Sequence, residues 1–223
     1  MADTSKLIAA IRADDSVAVR ATIAADPELA RGRDENGVSV VCLAVYFGRE
    51  QIAQLLARER DDLDVFEAST LGDADRVREL LSSAPELVDA YSPDGFHPLG
   101  YACFFGREEL LDLLLRSGAD VEAPARNPMR VRPLHSAVAQ ADPDLALLFA
   151  RRLLEAGATP NTVQQRGFTP LHEAALRGHV ELVRALLLHR ADTTARNSDG
   201  KTAADLARQN GHHEVAALLD LAV

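Results

Sequence analysis

The side chains able to do chemistry are few and scattered. Cysteine occurs only at 42 and 103, with no CxxC pair, so neither a disulfide framework nor a thiolate metal site is indicated. Cys42 is expected at a helix start, where backbone N–H groups can lower a thiol pKa. No histidine or other base stands at a suggestive spacing from it. Cys103 reads as a small buried hydrophobe. Of the seven histidines, His135 and His172 each follow a Pro-Leu pair. Neither has a second ligand at i+4 or at another recognised metal spacing. The sequence contains no GxSxG, HExxH or GxxxxGK[ST]. No catalytic residue, metal or cofactor is therefore expected. Aromatic side chains are the more suggestive group. There are ten, and Tyr46, Phe47, Phe96, Tyr101, Phe104 and Phe105 all fall in the first half, as one pair and one group of four. Rigid rings give large contact area at low entropy cost, which is the chemistry of binding.

Charge narrows the partners. The net charge is −10, with 12 basic against 23 acidic side chains in residues 1–120 and 12 against 11 in the remainder. An acidic chain lacks the phosphate attraction of nucleic-acid binders. Its first half suits a basic partner, or the charge serves solubility alone. The first ten residues have no basic region leading into an apolar core, so no signal peptide is expected. No stretch approaches 18 uncharged apolar residues, so no membrane span is expected. Two lone cysteines fit a reducing compartment, and a cytoplasmic location is expected.

These residues sit in a repeated frame. GFTPLHEAALRGHVELVRALLLHRADTT runs from Gly167 to Thr194, and GKTAADLARQNGHHEVAALLDLA begins 33 residues later at Gly200. GFHPLGYACFFGREELLDLLLRSGADV runs from Gly95 to Val121, and RVRPLHSAV with RRLLEAGATPN gives a less regular copy. A TPLH-like opening, a small-residue pair, a glycine, an amphipathic run and a GAD-like end together resemble the ankyrin repeat family. The resemblance is closest over 91–220. It implies a turn or hairpin followed by two antiparallel helices per unit. The fold expected is an all-α repeat solenoid of about seven stacked helix pairs with β-turn or hairpin connections.

A small-residue anchor marks the register at Ala10, Ala44, Ala68, Ala102, Ala137, Ala174 and Ala207. The units fall near 5–32, 33–60, 63–90, 91–123, 130–162, 163–195 and 196–221, in one domain spanning 1–223. A step of only 24 residues separates Ala44 from Ala68, leaving no room for a hairpin between Leu56 and Phe66. The loop 122–133 lengthens the next hairpin, and Arg126, Arg130 and Arg132 on it could contact an anion or simply belong to an irregular linker. Four extra residues are expected near Asp142–Asp144, where two helices turn. A second period of 58 residues matches DPEL at 26–29 with APEL at 84–87, and LAVYFGRE at 43–50 with YACFFGRE at 101–108. The first half therefore reads as a duplicated two-unit block.

Local signals agree with this frame. Gly48, Gly72, Gly106, Gly178 and Gly211 stand four residues after an anchor, where a left-handed backbone ends the first helix. Pro98, Pro133 and Pro170 suit first turns, and Thr169 and Thr202 suit N-caps. Arg190 stands where Gly118 and Gly157 stand in other units, so a left-handed residue there would be strained. Asp120 and Asp192 are expected to bond their own loops. By the resemblance, the histidine at His135 and His172 is structural, its ring bonding backbone near the turn.

The resemblance also implies binding through a concave face made of hairpin tips and exposed first-helix sides. The matched positions nominate Val38, Leu43, Tyr46, Phe47, Phe96, Tyr101, Phe104, Phe105, Arg166, Phe168, Glu173 and Arg177. The aromatic members either line a groove or pack against one another where the hairpin is missing. The function expected is a non-catalytic protein-binding module, an adaptor or inhibitor, acting as a monomer on a partner with a basic or apolar surface. A small-molecule-binding or self-associating structural protein is the alternative, and an enzyme with an unrecognised site is a further one.

Overall fold

The computed structural model describes residues 2–222. Fourteen α-helices follow one another among them. They are α1 (Ala2–Arg12), α2 (Ser16–Ala25), α3 (Val40–Tyr46), α4 (Glu50–Arg58), α5 (Val65–Leu71), α6 (Ala74–Ser83) and α7 (Pro98–Phe105). The rest are α8 (Glu108–Arg116), α9 (Pro133–Val138), α10 (Pro143–Glu155), α11 (Pro170–Arg177), α12 (Val180–Leu188), α13 (Ala203–Gln209) and α14 (His213–Leu221). Each odd-numbered helix packs on the even-numbered one that follows, and the odd-numbered helices also stack on one another in series. The molecule is an all-α repeat solenoid. Among the described residues, one isolated β-bridge joins Arg33 and Ser39.

The stack follows from the side chains at its seams. Ala44, Ala68, Ala102, Ala137, Ala174 and Ala207 are fully buried between neighbouring first helices, while Ala10 at the end is half-buried. On the second helices Ile52 and Leu56, Leu110, Leu111 and Leu114, and Leu182, Val183 and Leu186 are buried on one face. A pair apolar on both sides can close its core only against the next pair. The five glycines that follow the anchors all adopt positive φ. Pro98, Pro133 and Pro170 are first helical residues. The 58-residue duplication is also structural: α2 and α6 run into the same kind of 3-10 turn, Pro27–Arg31 and Pro85–Asp89.

Two irregularities have physical explanations. Between α4 and α5 the chain has only residues 59–64, and no hairpin forms. Arg60 closes this join: its Nη1 and Nη2 donate to the Glu67 carboxylate at 2.6 and 3.0 Å, and its Nε to Asp62 at 2.9 Å. The extra residues after Ala137 do not enlarge the turn at Asp142–Asp144. They lengthen α10 to 13 residues against nine in α4, α8 and α12. Four residues are close to one helical turn, so the apolar stripe of Ala146, Phe149, Ala150, Leu153 and Leu154 stays in register.

Hairpin tips form a second seam. Arg126 N–H donates to Gly95 O at 2.7 Å, Gln165 N–H to Met129 O at 3.2 Å and Ser198 N–H to Arg166 O at 2.9 Å. The loop at 122–133 is part of this ladder: Arg126 lies over the Tyr91 ring at 3.7 Å, and Arg132 Nε donates to Glu122 O. First-helix ends are also tied across units, by Arg107 Nε to Thr70 O at 3.0 Å and His212 Nε2 to Leu176 O at 3.1 Å.

Arg190 has φ 64, as its position implied. An L-residue pays roughly 1–2 kcal/mol there, partly offset in glycine by chain entropy. Arg190→Gly should therefore raise stability by about 0.5–1 kcal/mol, read as a higher thermal midpoint. An unchanged or lower midpoint would show the left-handed residue to be unstrained.

Candidate functional site

The chemistry-bearing residues resolve first. Cys42 is buried beside Ser39 and Thr70, and burial pushes its thiol up to about 12. Desolvation thus outweighs any lowering by the helix start, which corrects the sequence-based possibility. Cys103 is fully buried and its thiol is also raised by burial. Among the described residues, no group of three or more His, Cys, Asp or Glu side chains is placed to hold a metal.

His135 and His172 do tie backbone. Their Nε2 atoms meet Thr162 O at 3.1 Å and Lys201 O at 3.0 Å, in the hairpin of the next unit. A carbonyl only accepts, so Nε2 carries the proton and Nδ1 accepts the N–H of Arg132 or Thr169. Where Gly100 replaces this histidine, His97 does the same work from the N-cap: Nδ1 accepts from Gly100 N–H, and Nε2 meets Ala123 O at 3.0 Å. Sequence reasoning missed His97 because it lies three residues before the motif position. A histidine ahead of Pro-Leu-Gly was its only signal.

Burial lowers the pKa of all three rings, that of His135 to about 4. The unfolded rings take up protons near pH 6.5, before the folded ones do. Stability is therefore complete above that pH and falls as pH drops from about 6.5 towards 4. Thermal midpoints measured across this window should decline, and less steeply in His135→Gln. A flat profile would contradict neutral folded rings.

The nominated binding residues divide by burial. Val38 and Leu43 are buried and pack together with Cys42. Tyr101 is 1% exposed. Those three present no surface, contrary to expectation, because each hairpin lies over the N-terminal half of its own first helix. Tyr46, Phe47, Phe96 and Phe105 are half-buried, and Phe104 stays 47% exposed. In the sixth unit Arg166 is exposed and pairs with Asp199 at 2.8 Å, Glu173 pairs with Arg177 at 2.6 Å, and Phe168 packs on His172. Arg12 covers the Phe47 ring at 5.2 Å, away from the other aromatics.

The remaining rings form one cluster. Phe105 is its centre, with ring centroids 5.2 Å from Tyr46, 6.1 Å from Tyr101 and 5.0 Å from Phe104. Phe104 also neighbours Tyr46 and Phe96, at 6.2 and 6.3 Å. The cluster spans the missing hairpin: α3 supplies Tyr46, and α7 with its own hairpin supplies the others. Tyr46 OH donates to Asp94 on that hairpin at 2.6 Å, and Tyr101 OH donates to the same carboxylate at 2.6 Å. Gly37 and Pro93 approach each other closely, so the second and fourth hairpins are brought together. Both phenols titrate above their ordinary range, chiefly through burial. The rings thus pack on each other and still leave an apolar edge in solvent. The partly open space beneath, between Cys42, Glu67, Asp94 and Tyr101, is about 10 Å³, no more than one water.

A family model described as "Ankyrin repeats (3 copies)" matches residues 134–221, and one described as "Ankyrin repeat" matches 94–126. The chain is similar to the tyrosine-protein kinase HTK16 of Hydra vulgaris, 33% identical over 156 residues, covering 65% of this chain and 19% of that protein. It is also similar to the tyrosine-protein kinase Shark of Drosophila melanogaster, at 35% identity over 68% of this chain and 16% of the kinase. A third relative is an "Ankyrin repeat, SAM and basic leucine zipper domain-containing protein 1" from Ornithorhynchus anatinus, 33% identical over 60% of this chain and 28% of that protein. The chain thus spans less than a third of each of these relatives.

Proposed function

The chain belongs to the ankyrin repeat family, and on that footing we propose that it is a non-catalytic protein-binding module whose partner docks on the aromatic face of α3, α7 and the Ser92–Gly95 turn. Repeats of this family generally mediate protein–protein interaction. The observation that carries the location is Phe104, a large ring 47% exposed at the solvent edge of an aromatic cluster. A partner covering it gains apolar burial without ordering a flexible chain. The acidic first half favours a partner with a basic as well as an apolar surface. No helix among the described residues is long and apolar enough to cross a membrane. A monomer acting in the cytoplasm completes this reading; the two free buried thiols fit a reducing compartment.

Phe104→Ala tests it. Loss of this exposed ring should change stability by no more than about 1 kcal/mol and weaken partner binding by about tenfold or more. Capture from native lysate with wild type and variant side by side, followed by quantitative mass spectrometry, reads the difference. Equal recovery of every captured protein would reject this face. Phe105 is unsuitable for the test, because its ring supports three others.

A further inference from the structure

We propose that Asp94 is the anchor point for a cationic side chain of the partner, so that the bound segment is apolar with one lysine or arginine at a fixed place. This rests on the docking face proposed above and adds the charge to it. Asp94 is half-buried at a hairpin tip. Its carboxylate accepts from the hydroxyls of Tyr46, Tyr101 and Ser92. A carboxylate has about four acceptor positions, so one is left. Hydroxyls orient the negative charge without neutralising it.

Neighbouring carboxylates are treated differently. Asp64 pairs with Arg33 at 2.9 Å, Glu67 with Arg60 at 2.6 Å and Glu50 with Arg107 at 2.6 Å. Asp94 forms no ion pair within 4.0 Å with a described cation, and Arg126 on the adjoining tip is engaged over Tyr91. The rings of Tyr46, Phe104, Phe96 and Tyr101 follow one another at 6.2, 6.3 and 5.7 Å, and the two end members both place hydroxyls on Asp94. Aromatic faces attract cations, and of these rings Tyr46, Phe96 and Phe104 keep part of their surface in solvent while Tyr101 is buried. A purely apolar segment would cover the carboxylate and leave it unpaired, which is costly. An anionic segment would be repelled. A cation among apolar side chains satisfies both the charge and the rings.

The test is selection of a random dodecapeptide library on the folded chain. Enriched peptides should share one lysine or arginine flanked by apolar residues, and the selection shows which of the two cations is preferred. Changing that residue to norleucine or citrulline should weaken binding to wild type about tenfold and leave binding to Asp94→Asn unchanged, the signature of a coupled pair. Asp94→Asn keeps one oxygen that can accept two of the three hydroxyls, while its amide N–H must donate to the third hydroxyl oxygen, and its thermal midpoint checks the fold. Were it to unfold, the uncharged peptide on wild type still decides. Enrichment without a shared basic residue, no enrichment, or equal losses on both proteins would overturn the proposal. Uncharged peptides that still depend on Phe104 would leave the docking face standing and remove Asp94 from it. Peptides indifferent to Phe104→Ala would remove the face itself.

Discussion

Replacing Arg60 with alanine is expected to destabilise the fold by about 3–5 kcal/mol. The Arg60 side chain is 5% exposed and its partner Glu67 is 1% exposed. Removing the guanidinium strands a buried carboxylate that also accepts the N–H of Asp64 at the start of α5. The same guanidinium reaches Ala30 O and Asp62 O, so one side chain holds the segment that replaces a hairpin. Arg31 offers the control. It pairs with Asp62 and Glu28 in solvent, and such pairs contribute roughly 0–1 kcal/mol. Urea midpoints should therefore fall far more for Arg60→Ala than for Arg31→Ala. Arg60→Met combined with Glu67→Gln should recover most of the loss, because no charge stays buried and the glutamine still accepts from Asp64. Similar midpoints for Arg60→Ala and Arg31→Ala would remove the pair from its assigned role.

Gly95→Ala should lower stability by about 2–4 kcal/mol and abolish binding at the aromatic face. Gly95 has φ 85, and a Cβ there would sit 2.8 Å from the carbonyl carbon and 2.9 Å from the carbonyl oxygen of Arg126. Those are backbone atoms of the next tip, held by the hydrogen bond to Gly95 O, and they cannot swing away as a side chain would. Left-handed strain of roughly 1–2 kcal/mol adds to the clash. Gly95 also lies between Asp94 and Phe96, so any relief of the clash moves the site. Gly48→Ala isolates the backbone contribution: φ is 70 and no atom lies within 4 Å of its added Cβ, so the loss should be about 1 kcal/mol. Equal melting points for the two variants would show that tip contact carries no weight.

The differences between sequence expectation and structure share a pattern. Features set by a residue and its near neighbours were legible. The prolines at first turns, the Thr169 and Thr202 caps, the glycines at helix ends and the left-handed Arg190 all follow from local backbone chemistry. Features that depend on what packs from another unit were not. His97 exchanges its place with Gly100 and still reaches Ala123, a substitution visible only when the next hairpin is in position. The four added residues after Ala137 fit a turn or a helix equally well as text, and the buried stripe of α10 selects the helix. Tyr101 matches an exposed repeat position, but Ser92, Asp94 and Phe96 of its own hairpin cover it.

By itself the sequence determined the order and pairing of helices, because the spacing of small anchors, left-handed glycines and apolar stripes admits one repeating unit. It also determined that aromatic side chains and negative charge gather in the first half. Only the tertiary structure decided which rings remain accessible, and that Asp94 carries three hydroxyls but no cation. It alone placed Arg60 across the join that lacks a hairpin. The reason is that exposure and pairing belong to contacts between units 30 or more residues apart, such as Tyr46 with Asp94 at a separation of 48, and no local pattern encodes the distance between them.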